Sequence, residues 1–198
     1  METLNKIQAT LKSGQEHLTL KECNLNFSLL DFWRWSVSDM LSNATRGRFA
    51  EFIVATATKI DITKCREEWS AFDLETPEGI KLEIKSAAYL QSWFQKALSK
   101  ITFSTKAALY WDSDSNKLSK IASRHADVYV FCLLNHTNKE TVEPLNLDHW
   151  EFYVLATRQL NEYKRSQHSI TLKSLQAITN SVNYSELRNE IIDKHKLN

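Results

Sequence analysis

The sequence predicts an α/β (α+β) domain built on a mixed central β-sheet with helices on its flanks, and three observations predict it. "DVYVFCLL", residues 127–134, is a continuous apolar run between polar residues, the pattern of a strand covered on both faces. "FDLETPEGIKLEIKSAA", residues 72–88, alternates on either side of Pro77-Glu78-Gly79, the pattern of a β-hairpin. Helical periodicities precede these strands and others follow them.

Size and composition bound the rest. The chain has 198 residues with three Gly and two Pro, which leaves little room for repeats or long linkers and predicts one domain over 1–198. Residues 1–26 are polar and weakly periodic, expected as an arm or a short helix followed by a loop. Net charge is +1, so any nucleic-acid contact must come from a local basic patch. Cys23, Cys65 and Cys132 are scattered without CxxC spacing, which argues against a structural zinc or a disulfide framework. Each is expected as a small core residue in a reducing, cytoplasmic setting. No leader-like apolar segment opens the chain, and no uncharged apolar run approaches the roughly 18 residues of a membrane span.

The elements follow in order. In "NFSLLDFWRWSVSDML", Leu29, Leu30, Trp33, Val37, Met40 and Leu41 recur at helical spacing. Thr45 is the expected N-cap of a second helix, "RGRFAEFIVATATK", whose many apolar residues predict burial on most sides. Glu51 is the one charge inside that run. Strands are expected over 71–76 and 80–88, then a helical or irregular "LQSWFQKAL" and a short strand in "KITFST". "ALYWDSDSNKLSKIASRHA" is amphipathic but interrupted by a turn signal at 112–116. "WEFYVLA" is a further strand. "TRQLNEYK", "TLKSLQAI" and "YSELRNEIIDKHK" are helices, the last with Ser185 as a cap.

The hairpin carries the chemistry. With the turn centred on Glu78, Phe72 faces Ile84, Leu74 faces Leu82 and Thr76 faces Ile80, all on one face. The other face sets Glu75 against Lys81 and Asp73 against Glu83, with Lys85 two residues further along. Facing Cβ atoms in such a pair lie roughly 4.5–5.5 Å apart, so two carboxylates there repel unless a cation lies between them. A divalent ion such as Mg²⁺ takes oxygen ligands of this kind, and the Ile84 carbonyl is a further candidate ligand. A neighbouring ammonium suits the positioning of an attacking water. Solvated ion pairs are the plain alternative. A second acid-x-Lys triplet, Glu162-Tyr163-Lys164, lies in a helical pattern with no partner acid.

A helix with an internal Glu, then Asp73, nine intervening residues, Glu83-Ile84-Lys85, and Tyr89, Gln91 and Trp93 beyond resemble the PD-(D/E)XK nuclease superfamily. Residues 28 to 103 resemble more narrowly a bacterial family placed within it. One departure is that Phe72, not Pro, precedes Asp73. The resemblance implies a restriction-endonuclease-like fold, a Mg²⁺-dependent site (Mn²⁺ as a substitute) and DNA as substrate. It makes Asp73, Glu83 and Glu51 metal ligands and Lys85 the water-positioning amine, with Gln91 matching a polar residue after the lysine strand.

Arg46 and Arg48 at the start of the second helix are candidates for holding phosphate. Lys96, Lys100 and Lys106, interleaved with Trp93, Phe94 and Phe103, form either a basic, aromatic strip for DNA or a helix with a solvated lysine face. The histidines show no HxxxH or HExxH spacing, and no GxSxG or Cys/His nucleophile signature is present. Trp33, Trp35 and Trp69 are expected as core or interface aromatics. The expected function is therefore a metal-dependent DNA nuclease. A catalytically inactive module of the same fold that binds DNA or protein is the alternative, and an assembly protein that self-associates, as a homodimer for example, is a third.

Overall fold

The computed structural model describes residue 4, residues 6–112 and residues 116–198. Residues 1–3 and 5 of the expected arm, and 113–115 of the expected turn, lie outside the described residues.

Where the sequence predicts an arm or short helix, residues 17–28 form a hairpin of β1 (His17–Leu20) and β2 (Cys23–Ser28). Lys21 and Glu22 make its turn with positive φ. Ser28 then starts α1 (Leu29–Val37) through a capping box with Asp31, in which Asp31 N donates to Ser28 Oγ (3.2 Å) and Ser28 N to the Asp31 carboxylate (2.8 Å). The helix is shorter than its apolar pattern, and none of its residues is buried. Met40 and Leu41 fall in the turn after it, from which Leu41 packs against the core. Gly14 allows the chain to pass beneath α1. It has a φ of +89°, and a Cβ there would stand 2.9 Å from the Trp33 ring.

The second helix, α2 (Asn43–Ala57), is capped by Ser42 rather than Thr45. The Ser42 Oγ accepts the Thr45 amide, and Asn43 and Ala44 are already helical. Its burial is one-sided: Ala50, Ile53, Val54 and Ala55 are inside while Phe52 is exposed. The helix ends where Thr58 returns its hydroxyl to the Val54 carbonyl (2.7 Å) and Lys59 turns left-handed (φ 61°).

The hairpin forms with the predicted register, Leu74 opposite Leu82 and Glu75 opposite Lys81, around a turn closed by Gly79 N to Thr76 O (2.8 Å). Its first strand, β3 (Leu74–Glu75), is only two residues long, while β4 (Lys81–Ala88) runs its full length. "LQSWFQKAL" is irregular, and β5 (Thr102–Ser104) follows. The interrupted amphipathic stretch becomes a small hairpin of β6 (Trp111–Asp112) and β7 (Lys117–Leu118). Then come β8 (Val128–Leu134), buried at every residue, β9 (Trp150–Ala156), α3 (Thr157–Glu162), β10 (Ser169–Thr171), α4 (Leu172–Gln176), β11 (Ser181–Val182) and α5 (Leu187–His195). Ser185 does not cap α5. Asn183 Oδ1 instead accepts the Ser185 (2.9 Å) and Glu186 (3.2 Å) amides.

The central sheet runs β11-β9-β8-β4-β3, with β4 and β8 parallel and every other pair antiparallel, so the predicted mixed sheet is present. Alternation along β4, β8 and β9 divides the core in two. On one face Leu82, Ile84, Val130, Cys132 and Phe152 pack with Ala50, Ile53 and Val54 of α2 and with Leu187 and Ile191 of α5. On the other, Tyr129, Phe131, Leu133 and Tyr153 pack with Phe103 of β5, Leu160 of α3, Ile170 of β10 and Leu175 of α4. The layers thus bury the apolar face of each element against a sheet that supplies two.

Three expectations about single residues change. Only Cys132 is buried; Cys23 is exposed and Cys65 half-buried. Trp35 is 84% exposed, and Trp69 is exposed against Trp111, so for these two the core half of the expectation falls and the interface half stands open. Phe103 is buried under β8 and so cannot join a surface strip with the lysines. Among the described residues no helix is long and apolar enough to cross a membrane.

Candidate active site

The predicted acids meet at the β3 edge of the central sheet. Position 73 is where the hairpin stops being regular: Asp73 N donates to Leu82 O (3.0 Å), and the Asp73 carboxylate accepts the Ile84 amide (2.7 Å). The side chain thus takes a ladder amide that a longer β3 would have taken, which explains why the strand is so short. This bond holds one Asp73 oxygen in place, and it engages the nitrogen of Ile84.

Glu83 and Lys85 lie on the face of β4 opposite α2, with a direct ion pair between them. Glu83 is next to Tyr129 in the parallel register of β4 with β8. Burial raises the Glu83 carboxyl above its usual range; Lys85 opposes that rise, and Asp73 and Glu51 add to it. Burial and the Glu83 charge hold the Tyr129 phenol well above its ordinary value. Glu51 projects from α2, and burial raises its carboxyl too, with Arg66 opposing and Asp73 reinforcing. A helix, a strand and the turn of chain before β3 therefore bring three carboxylates and one ammonium within electrostatic reach of one another. An open groove of about 790 Å³, lined among others by Arg48, Glu51, Arg66 and Asp73, runs beside Glu51 and Asp73.

Sequence reasoning missed Arg66. It lies in the irregular chain between α2 and β3, its Nε bonded to Glu51, its Nη1 2.6 Å from Glu68 and its Nη2 4.0 Å from Asp73. Burial pulls its pKa down, but the three carboxylates together more than offset this and leave it raised. The available signal was "CREEWS", an arginine beside two acids in a segment whose ends α2 and β3 fix in space. Among the described residues no three acidic, histidine or cysteine side chains stand as a ready-made metal-binding group. Two of the three predicted acids, Glu51 and Glu83, each already hold an internal cation. The donor set nevertheless fits a hard divalent cation: oxygen donors only, two of them penalised by burial when ionised, so that added positive charge is repaid there.

The other predicted residues are placed as follows. Arg46 is only 4% exposed, and its guanidinium donates to Ser86 Oγ (3.0 Å), the Leu41 carbonyl (2.9 Å), Asn43 Oδ1 (2.7 Å) and Gln91 Oε1 (3.4 Å). It ties the start of α2 to β4 one residue past Lys85. Burial lowers its pKa. Gln91, 7% exposed, completes this network by donating to Ala88 O (3.2 Å) and Ser99 Oγ (3.3 Å). Its side chain is thus engaged by Arg46 and these groups rather than by the acids. Arg48 is largely exposed, 3.8 Å from Glu68 at the groove. Lys96 and Lys100 are exposed on the irregular chain after β4.

The raised carboxyls give a pH expectation. Glu51 and Glu83 take up protons more readily folded than unfolded, so without metal their contribution favours the folded state below the unfolded value of 4.5. It is lost as pH rises through the folded values. In urea melts with chelator between about pH 4.5 and 7, Glu83→Gln should flatten the fall in stability relative to wild type. An unchanged slope would mean that burial does not strain Glu83.

Residues 21–174 match the model of the family described as bacteriophage T4 endonuclease IV. A search of curated proteins found no match.

Proposed function

We propose that this chain, which belongs to the bacteriophage T4 endonuclease IV family, is a metal-dependent endonuclease hydrolysing phosphodiester bonds of DNA. The observation that carries the reading is the gathering of Glu51, Asp73 and Glu83 from three segments around the β3 edge, with the Lys85 amine held by Glu83. This is the constellation that the resemblance to the PD-(D/E)XK superfamily implies.

Glu51, Asp73, Glu83 and the Ile84 carbonyl are the groups that would hold Mg²⁺, with Mn²⁺ as a substitute. Such an ion supplies charge neutralisation at the phosphate and a more acidic water. The chain's own residues do the rest. Glu83 fixes the direction of the Lys85 amine, which positions the attacking water by hydrogen bonding. The Ile84 amide fixes Asp73, so its carboxylate enters the reaction already oriented. Arg48, Lys96 and Lys100 are exposed cations suited to the DNA backbone.

The test is cleavage of single- and double-stranded DNA by purified protein. Cutting with Mg²⁺ or Mn²⁺ that chelator stops is the expected result, together with a rise in melting temperature on adding the ion. A second reading is favoured by the internal cations on Glu51 and Glu83: a catalytically inactive module of this fold that binds DNA or protein. DNA binding without cleavage in either metal would select it.

A further inference from the structure

We infer that Arg66 is a built-in stand-in for the metal: its guanidinium occupies the cation position between Glu51 and Asp73 in the metal-free protein, and ion binding frees it to bind the phosphodiester. The inference rests on the metal-dependent reading above and adds a residue to it.

The geometry points there in three ways. Arg66 bridges acids from separate segments, Glu51 on α2, Glu68 on its own loop and Asp73 at the start of the hairpin, with one charged group. Two of these are predicted metal ligands, and a guanidinium and a divalent ion cannot both satisfy them at close range. Arg66 itself sits on irregular chain between α2 and β3 rather than on a helix or strand, and its side chain is one-third exposed. It can therefore leave without dismantling the sheet. The groove beside Glu51 and Asp73 is lined by Arg48, Lys59 and Lys64 as well as by carboxylates, so a guanidinium released when an ion takes over the acids has other cations beside it with which to share a phosphate. A planar fork that holds carboxylates with two nitrogens matches phosphate oxygens equally well. Exchange also keeps the charge count sensible: without the ion, Glu51 and Asp73 share Arg66 alone, and with it the arginine moves to the incoming negative charge.

The test uses Mn²⁺ as the probe and needs no turnover. Wild type, Arg66→Met and Asp73→Asn are titrated with Mn²⁺ by calorimetry and melted in chelator and in saturating Mn²⁺. Arg66→Met should bind Mn²⁺ more tightly, on the order of ten-fold, because no internal cation has to be displaced. It should melt below wild type in chelator, where its acids face one another unopposed, and the gap should close in Mn²⁺. With Mn²⁺ saturating, a labelled DNA oligonucleotide should bind Arg66→Met several-fold more weakly when both proteins also carry Lys85→Met. Arg66→Lys, which keeps the charge, should stand between the two in Mn²⁺ affinity and separates loss of charge from loss of fold. Equal or weaker Mn²⁺ binding by Arg66→Met, with binding lost in Asp73→Asn, overturns the role of Arg66 alone. Equal DNA affinity overturns its role toward phosphate. No Mn²⁺ binding by any of the proteins overturns both this inference and the metal-dependent reading beneath it.

Discussion

Lys85→Met is expected to slow DNA cleavage by roughly 10²–10⁴, the range that a positioned proton-transfer or water-orienting group contributes. Methionine keeps most of the stem that crosses the sheet face and removes only the amine, so the bulk beside Phe131, its neighbour in the sheet register, is retained. The measurement is single-turnover cleavage of a labelled duplex in Mg²⁺, with the melting temperature of each protein recorded alongside. Glu83 loses its ion-pair partner in the variant and, being largely buried, takes up a proton more readily, so a moderate fall in melting temperature is expected beside the larger loss of rate. Cleavage at the wild-type rate would remove Lys85 from the chemistry. Cleavage lost together with a collapse in melting temperature would assign it a folding role instead.

Arg46→Ala is expected to destabilise the protein by about 2–4 kcal/mol, since it leaves the buried Gln91 Oε1 without its donor and removes the part-buried bonds to the Leu41 carbonyl, Asn43 and Ser86. At this chain length that is a fall of about 5–15 °C in melting temperature. Arg46→Lys should recover little of it, because one ammonium cannot reach partners on α2, β4 and the chain beyond β4 together. The same network fixes α2 against β4, so the variant should also cleave slowly under conditions where it is folded. A melting temperature within a degree or two of wild type, with DNA affinity lost, would return Arg46 to the role of a phosphate-binding surface residue.

Much of this was legible in the sequence, and the exceptions have physical causes. The hairpin register followed from side-chain alternation and a single turn, because a one-residue slip would have turned Leu82 and Ile84 away from α2. β8 followed from an apolar run too continuous for a half-exposed strand. What could not be read is where chain without periodicity goes. Arg66 has no pattern to mark it, and only the distance between the end of α2 and the start of β3 brings it to Glu51. The burial of Arg46 escaped the sequence for a related reason. Position in a helix's first turn suggests surface, and its burial depends on Ser86 and Gln91, some 40 residues away in the chain. The β1–β2 hairpin was missed although Leu18 and Leu20, then Cys23, Leu25 and Phe27, alternate with polar residues; the runs are short, and their strands are exposed rather than packed on the core.

The bond from Asp73 to the Ile84 amide has a consequence for solubility. β3 covers only the start of β4, so the rest of that strand offers its outer margin to any extended peptide that drifts alongside. A carboxylate seated on the first free amide blocks the nucleus of such pairing and places negative charge where a neighbouring chain would have to dock. Asp73→Asn keeps the acceptor and should stay monodisperse, whereas Asp73→Ala uncovers the amide and should aggregate on concentration, which light scattering would register.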